Sequence, residues 1–460
     1  MFDELLRKFG AYAYANLDTL NPHRDTLKGR ESAEEFLKTN IITNERIARA
    51  AMEIGFGFSE FQQQTLYHDS GYFETEVDYQ DTMALLPQML APFFGKAMAE
   101  LAFSLYVNHA FPYAPSPTFL SLGAGRAYLD HDLIEHLTAD IFDLPGYRMH
   151  AKAVRENSTF VVSDHGKNAL TLMRKELSDL LERMPERVRT EEINALDFDM
   201  GNLPFGIVYS NELIDCLPTE PIIKVDGTLY AVKLLAYDPE GKNENSDNVR
   251  LVRMQIKDVK GLMSKEQAKK RIERGKSESL RFMPVFIPLT YDQDLVDEVD
   301  DVPTLINIDK EEFGGLYPVQ IGIDRLFESV KKSFQKGILI LIDYVSICKG
   351  MHNWNKAVNE FRRYQFGKED LDFQIDPSYI IHKAGEHGMI CEKNDTLADI
   401  FKETSLLIQT FTEKDIKRWA RANGHPPLLY RDSDLMGKFM ASYQFCTALA
   451  DHYSTMIFKF

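Results

Sequence analysis

Asn211, Glu212 and Asp215 fall within five residues of one another, in Ile207-Val-Tyr-Ser-Asn-Glu-Leu-Ile-Asp-Cys-Leu-Pro218. The run before them, Phe205-Gly-Ile-Val-Tyr-Ser210, has the length and composition of a buried strand, so the three polar residues stand at its carboxyl end. In open α/β sheets that end is where ligands lie. Polar groups beside buried apolar ones are costly unless paired, and a helix cap alone needs only one acid. Gly123 and Gly125 end a second apolar run, Thr118-Phe-Leu-Ser-Leu122, and lead into a helical pattern. Glycines at such a turn let the backbone approach a ligand that a Cβ would exclude. Tyr128 stands where the third glycine of G-x-G-x-x-G would be, which argues against a nicotinamide dinucleotide. Asp164 closes a third run, Thr159-Phe-Val-Val-Ser163. An acid there accepts hydrogen bonds from ribose hydroxyls or caps the helix that follows. Asp197, in Ala195-Leu-Asp197, is placed either to meet an adenine amino group or to serve as a turn residue.

Positioning these side chains requires a sheet. The apolar runs at 118–122, 159–163, 205–210 and 337–344 alternate with helical patterns at 128–139 and 170–181, which is the signature of a parallel α/β fold. Residues 1–111 read as a helical N-terminal region. Ser32-Ala-Glu-Glu35 fits a capping box, Ile41, Ile42, Ile47, Ala48 and Ala51 follow at helical spacing, and 95–110 has the composition of a buried helix. The expected organisation is therefore a helical region at 1–111, the first part of the sheet domain at 112–237, an insertion or lid at 238–334, and the rest of the sheet domain with C-terminal helices at 335–460. Within the insertion, a polar linker at 238–248, a basic helix at 265–281 and an acidic run at 292–301 read as solvated faces.

The chain has 460 residues, 44% of them hydrophobic and 27% charged, which suits a globular protein of two or three domains. Fifty-three Lys and Arg against 70 Asp and Glu give a net charge of −17, a poor match to nucleic acid. The longest apolar run, 337–342, is strand-length, so no membrane span is expected. The cysteines, Cys216, Cys348, Cys391 and Cys446, form no C-x-x-C pair. The histidine pairs His131/His136 and His382/His387 are five apart, which does not align two metal ligands on a helix, so no metal is expected. The acid-containing N-terminus lacks a continuous apolar core, and a cytoplasmic location is expected.

Several stretches follow one another in the order of a known family: Gly71-Tyr-Phe73, Pro92-Phe-Phe-Gly95, Leu122-Gly-Ala-Gly125, Ser210-Asn-Glu-Leu-Ile-Asp-Cys-Leu-Pro218, Leu341-Ile-Asp-Tyr344, Asp370-Leu-Asp-Phe-Gln-Ile-Asp376 and Met436-Gly-Lys-Phe439. In these the chain resembles the MidA-type S-adenosylmethionine-dependent methyltransferases, the group that includes the mitochondrial complex I assembly factor, a protein arginine methyltransferase. It departs from the family at Gln320 and Gln374, where an acid and a histidine are usual, at Val345, where a glycine is usual, and at Arg126-Ala127 in the glycine loop. The resemblance implies a Rossmann-like class I methyltransferase sheet of the α/β class, with a helical N-terminal region and a large insertion. It implies S-adenosyl-L-methionine as cofactor, held by Gly123, Gly125, Asp164, Asp197 and Asn211. Glu212, with Asp215 as second carboxylate or brace, would hold a guanidinium acceptor. The implied partner is a protein substrate, such as a respiratory complex subunit, with arginine as the methylated residue; a homodimer is a further expectation. The glutamines at 320 and 374 keep open a second reading, a catalytically inactive assembly or interaction factor on the same scaffold.

Overall fold

The structure, a computed structural model, describes residues 39–68, 71, 90–109, 116–139, 142, 145–225, 227–257, 259–299, 313–345, 375–404, 412–423 and 450–460. Ser32, Glu35, Gln374 and the Met436-Gly-Lys-Phe439 stretch, all singled out by the sequence, lie outside the described residues. The chain divides into two compact units.

One unit comprises 72–217, 322–345 and 372–460. Its sheet contains β1 (Thr118–Leu122), β2 (Thr159–Asp164), β3 (Val188–Glu192), β4 (Gly206–Asn211), β5 (Gly337–Tyr344), β6 (Ile390–Thr396) and β7 (Tyr453–Lys459), in the spatial order β6-β7-β5-β4-β1-β2-β3. β1 to β5 pair in parallel, and β7 runs antiparallel between β5 and β6. This is the Rossmann-like sheet of class I methyltransferases, with all four expected runs in it. The parallel strands are short and apolar because both their faces are covered: β1 is buried throughout, and β4 and β5 are buried up to their last residues. The chain order reverses between β1 and β4, which makes their carboxyl ends the topological switch point. Residues 335–460 carry helices, among them Pro377–Glu386, Leu397–Glu403 and Glu413–Ala422, and also the strands β6 and β7. β6 carries Glu392, Lys393 and Asp395 and gave no apolar signal, as suits an edge strand.

The helices of this unit are α1 (Phe93–His109), α2 (Tyr128–Leu137), α3 (Arg148–Asn157), α4 (Lys167–Glu176), α5 (Ser178–Arg183), α6 (Ile323–Ser333), α7 (Pro377–Glu386), α8 (Leu397–Glu403) and α9 (Glu413–Ala422). The helix expected at 170–181 is two helices, α4 and α5, joined at Leu177. α7 starts at Asp376, whose Oδ1 accepts the Ser378 and Tyr379 N–H groups, with Pro377 in the first helical position. A capping box of Thr412 and Asp415 starts α9. The same Asp415 pairs with Lys96 of α1 at 2.7 Å. Arg418 of α9 bonds Asp132 of α2 at 2.7 Å and Glu176 of α4 at 2.5 Å, and its guanidinium lies over the Tyr128 ring. α1 is apolar almost all round and packs on α2 and the sheet.

The second unit comprises 1–71, 218–321 and 346–371. Its antiparallel sheet centres on Thr228–Tyr237, which pairs with Glu220–Val225, with Arg281–Pro288 and with the short strand Phe56–Gly57; Phe313–Val319 pairs with Glu220–Val225. A core of Ala48, Ala51, Ile54, Leu235, Val249, Val252 and Ile287 joins helices Glu45–Ile54 and Asp247–Gln255 to this sheet. The division cuts across the expected boundaries. Residues 218–237 belong with 238–321 rather than with the strands of 112–217, and 39–68 pack in the same unit.

Three local readings in this unit also change. Helix Glu45–Ile54 begins after Ile41 and Ile42, because Ile41 pairs with Phe286 and Asn44 caps the helix through the Ile47 N–H. The basic helix stops at Glu273. Pro284 and Pro288 hide the strand Arg281–Pro288 from a sequence reading; among the described residues it pairs along its length with Thr228–Tyr237 and otherwise meets only the single bridge from Ile41 at Phe286, and proline is tolerated on such an edge.

α1 meets α2 at Gly95, where an added Cβ would strike the Cβ of Asp132 and come within 2.8 Å of the Leu133 backbone nitrogen. Backbone cannot move aside as a flexible side chain can. Gly95→Ala is expected to destabilise the protein by about 3 kcal/mol. In α7, a Cβ on Gly385 would meet nothing within 4 Å, so Gly385→Ala is expected to stabilise by about 0.5–1 kcal/mol. Denaturant unfolding of the two variants measures both; equal effects would refute the close approach at Gly95.

Candidate functional site

The site lies at the carboxyl ends of β1, β2, β4 and β5, all in the first unit described. Leu122 of β1 pairs with Ser210 of β4, so Gly123 and Asn211 leave adjacent strands at the switch point. Gly123 and Gly125 have φ of +67° and +54°, and Ala127 is left-handed at +59°. The loop is tied to β2 twice: the Ala124 N–H donates to the Ser163 carbonyl, and the Gly125 N–H donates to Asp164 Oδ2 at 2.9 Å. Asp164 Oδ1 accepts the Gly166 N–H at 2.9 Å. The N-cap of α4 is Gly166, so Asp164 is not the cap; it joins the turns after β1 and β2. Burial pushes its carboxyl upward, opposed by the N–H groups of Gly166, Gly125 and His165. A Cβ on Gly123 would sit 3.0 Å from Leu213 Cδ1, so the glycine loop closes against the turn after β4.

That turn carries Glu212 and Asp215, directly after Asn211. Asn211 is the last residue of β4, partly buried, and its Oδ1 has no hydrogen-bond partner among the described residues. Glu212 has a φ of +53°. Positive φ costs a non-glycine residue on the order of 1–3 kcal/mol and persists only where the surroundings impose it. Here the Glu212 N–H donates to the Ile342 carbonyl at 2.9 Å, and Oε1 accepts the Tyr453 hydroxyl at 2.6 Å. Asp215 is buried in the short 3-10 turn Ile214–Cys216. Asp343, at the end of β5, is wholly buried; its Oδ2 accepts the N–H groups of Ile214 and Asp215 at 2.8 and 3.2 Å, and its Oδ1 accepts that of Tyr344 at 2.9 Å. Burial and then the Glu212 charge push the Asp343 carboxyl up to about 8, against three N–H bonds that favour its charged form.

Below the glycine loop, Asp130 of α2 is buried and accepts the Tyr209 hydroxyl at 2.8 Å. Burial raises Asp130 to about 6, and hydrogen bonds from Ser121 and Tyr209 partly offset that rise.

The structure thus brings Gly123, Gly125, Asp164, Asn211, Glu212 and Asp215 to one end of one sheet. Asp197 is exposed in the turn after β3, where its N–H donates to the Asn194 carbonyl. Reasoning from sequence did not single out Asp130, Tyr209 or Tyr453. Asp343 did carry a signal, as an acid ending the most apolar run of the chain. Among the described residues no group of His, Cys, Asp and Glu is arranged to hold a metal ion. His131 meets Asp132 and Asp179 instead, and His387 meets Asp324. Among the same residues, no helix is long and apolar enough to cross a membrane.

With both acids raised by burial, the folded chain holds protons that the unfolded chain, with carboxyls near 3.8, releases. Their contribution to stability is complete below about pH 4 and is lost as pH rises through about 6 for Asp130 and about 8 for Asp343. Asp343→Asn is expected to flatten the pH dependence of unfolding free energy between pH 6 and 9, removing a slope that reaches about 1.4 kcal/mol per pH unit. Urea unfolding across that range checks it, and an unchanged slope would overturn the assignment.

No family model matches the sequence, and no curated protein does. Solved structures do match in fold. An uncharacterized ACR, COG1565 superfamily protein from Burkholderia thailandensis superposes with a TM-score of 0.53 at 13% identity, covering 94% of this chain and 93% of that one. A COG1565 superfamily member from the same organism, bound to S-adenosyl-homocysteine, superposes with a TM-score of 0.53 at 13% identity over 94% of each chain.

Proposed function

We propose that this chain is an S-adenosyl-L-methionine-dependent methyltransferase whose acceptor is a protein side chain, arginine in particular. The observation that carries the reading is the juxtaposition at the switch point: a glycine loop bonded to a ribose-type acid, Asp164, beside the buried amide oxygen of Asn211 and the carboxylate of Glu212. The same fold in a protein described as bound to S-adenosyl-homocysteine supports the choice of cofactor. Asn211 Oδ1 suits the ammonium of an amino-acid moiety, since a buried acceptor without a partner is costly. Gly123 and Gly125 give the backbone room beside it. Asp164 has lone-pair capacity left for ribose hydroxyls beyond the N–H groups of Gly125, Gly166 and His165, and Asp197 takes the adenine amino group.

When bound, S-adenosyl-L-methionine supplies an activated methyl group on a sulfonium. The protein's own part is placement: Glu212 holds the guanidinium by charge-assisted hydrogen bonds and fixes the reacting nitrogen on the line of transfer. Asp215 braces the turn that carries Glu212. A net charge of −17 favours the approach of a cationic protein segment, and a basic region of a respiratory complex subunit has that chemistry.

Calorimetric titration of the purified protein is expected to give micromolar binding of S-adenosyl-L-methionine and S-adenosyl-homocysteine and no binding of NAD. Glu212→Gln should keep the affinity for S-adenosyl-homocysteine while its yield of methylarginine from labelled cofactor and cell extract falls about 100-fold or more. Absence of cofactor binding would overturn the enzymatic reading in favour of a non-catalytic scaffold, and full activity of Glu212→Gln would remove Glu212 from the mechanism.

A further inference from the structure

Tyr453 is one of 20 tyrosines, and no spacing in the sequence sets it apart. The direction of β7 gives it its place. Because β7 runs antiparallel to β5, it begins at the end of the sheet where β1, β2, β4 and β5 finish, and Tyr453 is its first residue, opposite Tyr344. From there its hydroxyl donates to Glu212 Oε1 at 2.6 Å across 241 residues of sequence. Its ring packs edge-on against Tyr344 with centroids 5.6 Å apart. Burial and the Glu212 charge hold its hydroxyl far above the usual phenol range, so it stays a donor.

We propose that Tyr453 is a positioning residue that pre-orients the Glu212 carboxylate for a guanidinium acceptor; this rests on the methyltransferase reading above. The Glu212 backbone is pinned by its positive φ and its bond to Ile342. Its side chain still has three rotatable bonds, and a free glutamate must lose that freedom each time it grips a ligand. A donor reaching across from β7, two strands away, removes the freedom beforehand, which raises affinity without any contact to the ligand. The chemical type of the donor matters as well. A lysine or arginine at 453 would neutralise Glu212, whereas a phenol orients it and leaves its negative charge for the acceptor.

The test uses the full chain saturated with S-adenosyl-homocysteine and methylguanidine as the probe, followed by calorimetry from pH 5 to 8. Tyr453→Phe keeps the ring contact and is expected to bind S-adenosyl-homocysteine as the parent does, to bind methylguanidine about tenfold more weakly, and to lose it at a higher pH on acidification. The shift arises because removing a donor to a carboxylate raises the pH at which that carboxylate protonates. Ser454→Ala is the control: Ser454 is on the same strand and loses only a side-chain bond of 2.7 Å to Asn394 on β6, the strand on the far side of β7 from β5, and is expected to leave methylguanidine binding unchanged. Equal binding by Tyr453→Phe and the parent, or equal weakening in both variants, would overturn the role of Tyr453. A parent that binds S-adenosyl-homocysteine but not methylguanidine would overturn guanidinium capture at Glu212, and Tyr453's role with it, leaving the cofactor reading intact. A parent that binds neither would overturn the methyltransferase reading itself.

Discussion

Asp343, the last residue but one of β5, has no exposed surface, and its carboxyl group gathers the backbone N–H groups of Ile214, Asp215 and Tyr344. The two bonds from Ile214 and Asp215 hold the turn after β4 to the end of β5, and the turn carries Glu212 and Asp215. An acid buried this deeply is costly unless it is neutral or well bonded, and here a second negative charge, Glu212, lies close enough to raise it further. The arrangement is tolerable because the donors come from backbone that would otherwise be unsatisfied where β4 ends and the 3-10 turn begins. The site geometry is thus paid for by a bond that also completes the fold.

Backbone strain is confined in the same way. Among the described residues, three non-glycine positions have positive φ: Ala127, Asn202 and Glu212. Two of the three border the site, one ending the glycine loop and one following β4. Ala127 is held within its own loop by the Ala124 carbonyl, and Glu212 is held from other strands by Ile342 and Tyr453. The loop and the turn then close on each other through Gly123 and Leu213. A rigid concave edge of this kind suits catalysis by placement, since small displacements of a reacting pair cost large factors in rate.

The ion network behind α2 belongs to the same logic. Arg418 joins Asp132 and Glu176 and covers Tyr128, the residue that occupies the third glycine position of the loop motif. A bulky side chain there requires the helix to be secured from outside, and α9 does so through charge-assisted bonds. The departure from G-x-G-x-x-G is therefore accommodated by a partner nearly 300 residues later in the sequence.

What the sequence determined by itself was local. The four apolar runs, the glycines after the first, the acid after the second and the polar triad after the third were all legible, because strand burial and turn chemistry act over five to ten residues. The antiparallel unit was not. Its strands are interrupted by Pro221, Pro284, Pro288 and Pro318, and their pairing with Phe56–Gly57 joins segments about 180 residues apart. Likewise Asn211, Glu212 and Asp215 could be placed at a strand end, but their partners could not be named. Asp343 and Tyr453 reach them from strands β5 and β7, and only the sheet order β7-β5-β4 and the reversed direction of β7 bring those residues to the same end. Pairing across a sheet is a matter of long-range contact free energy, which no local pattern encodes.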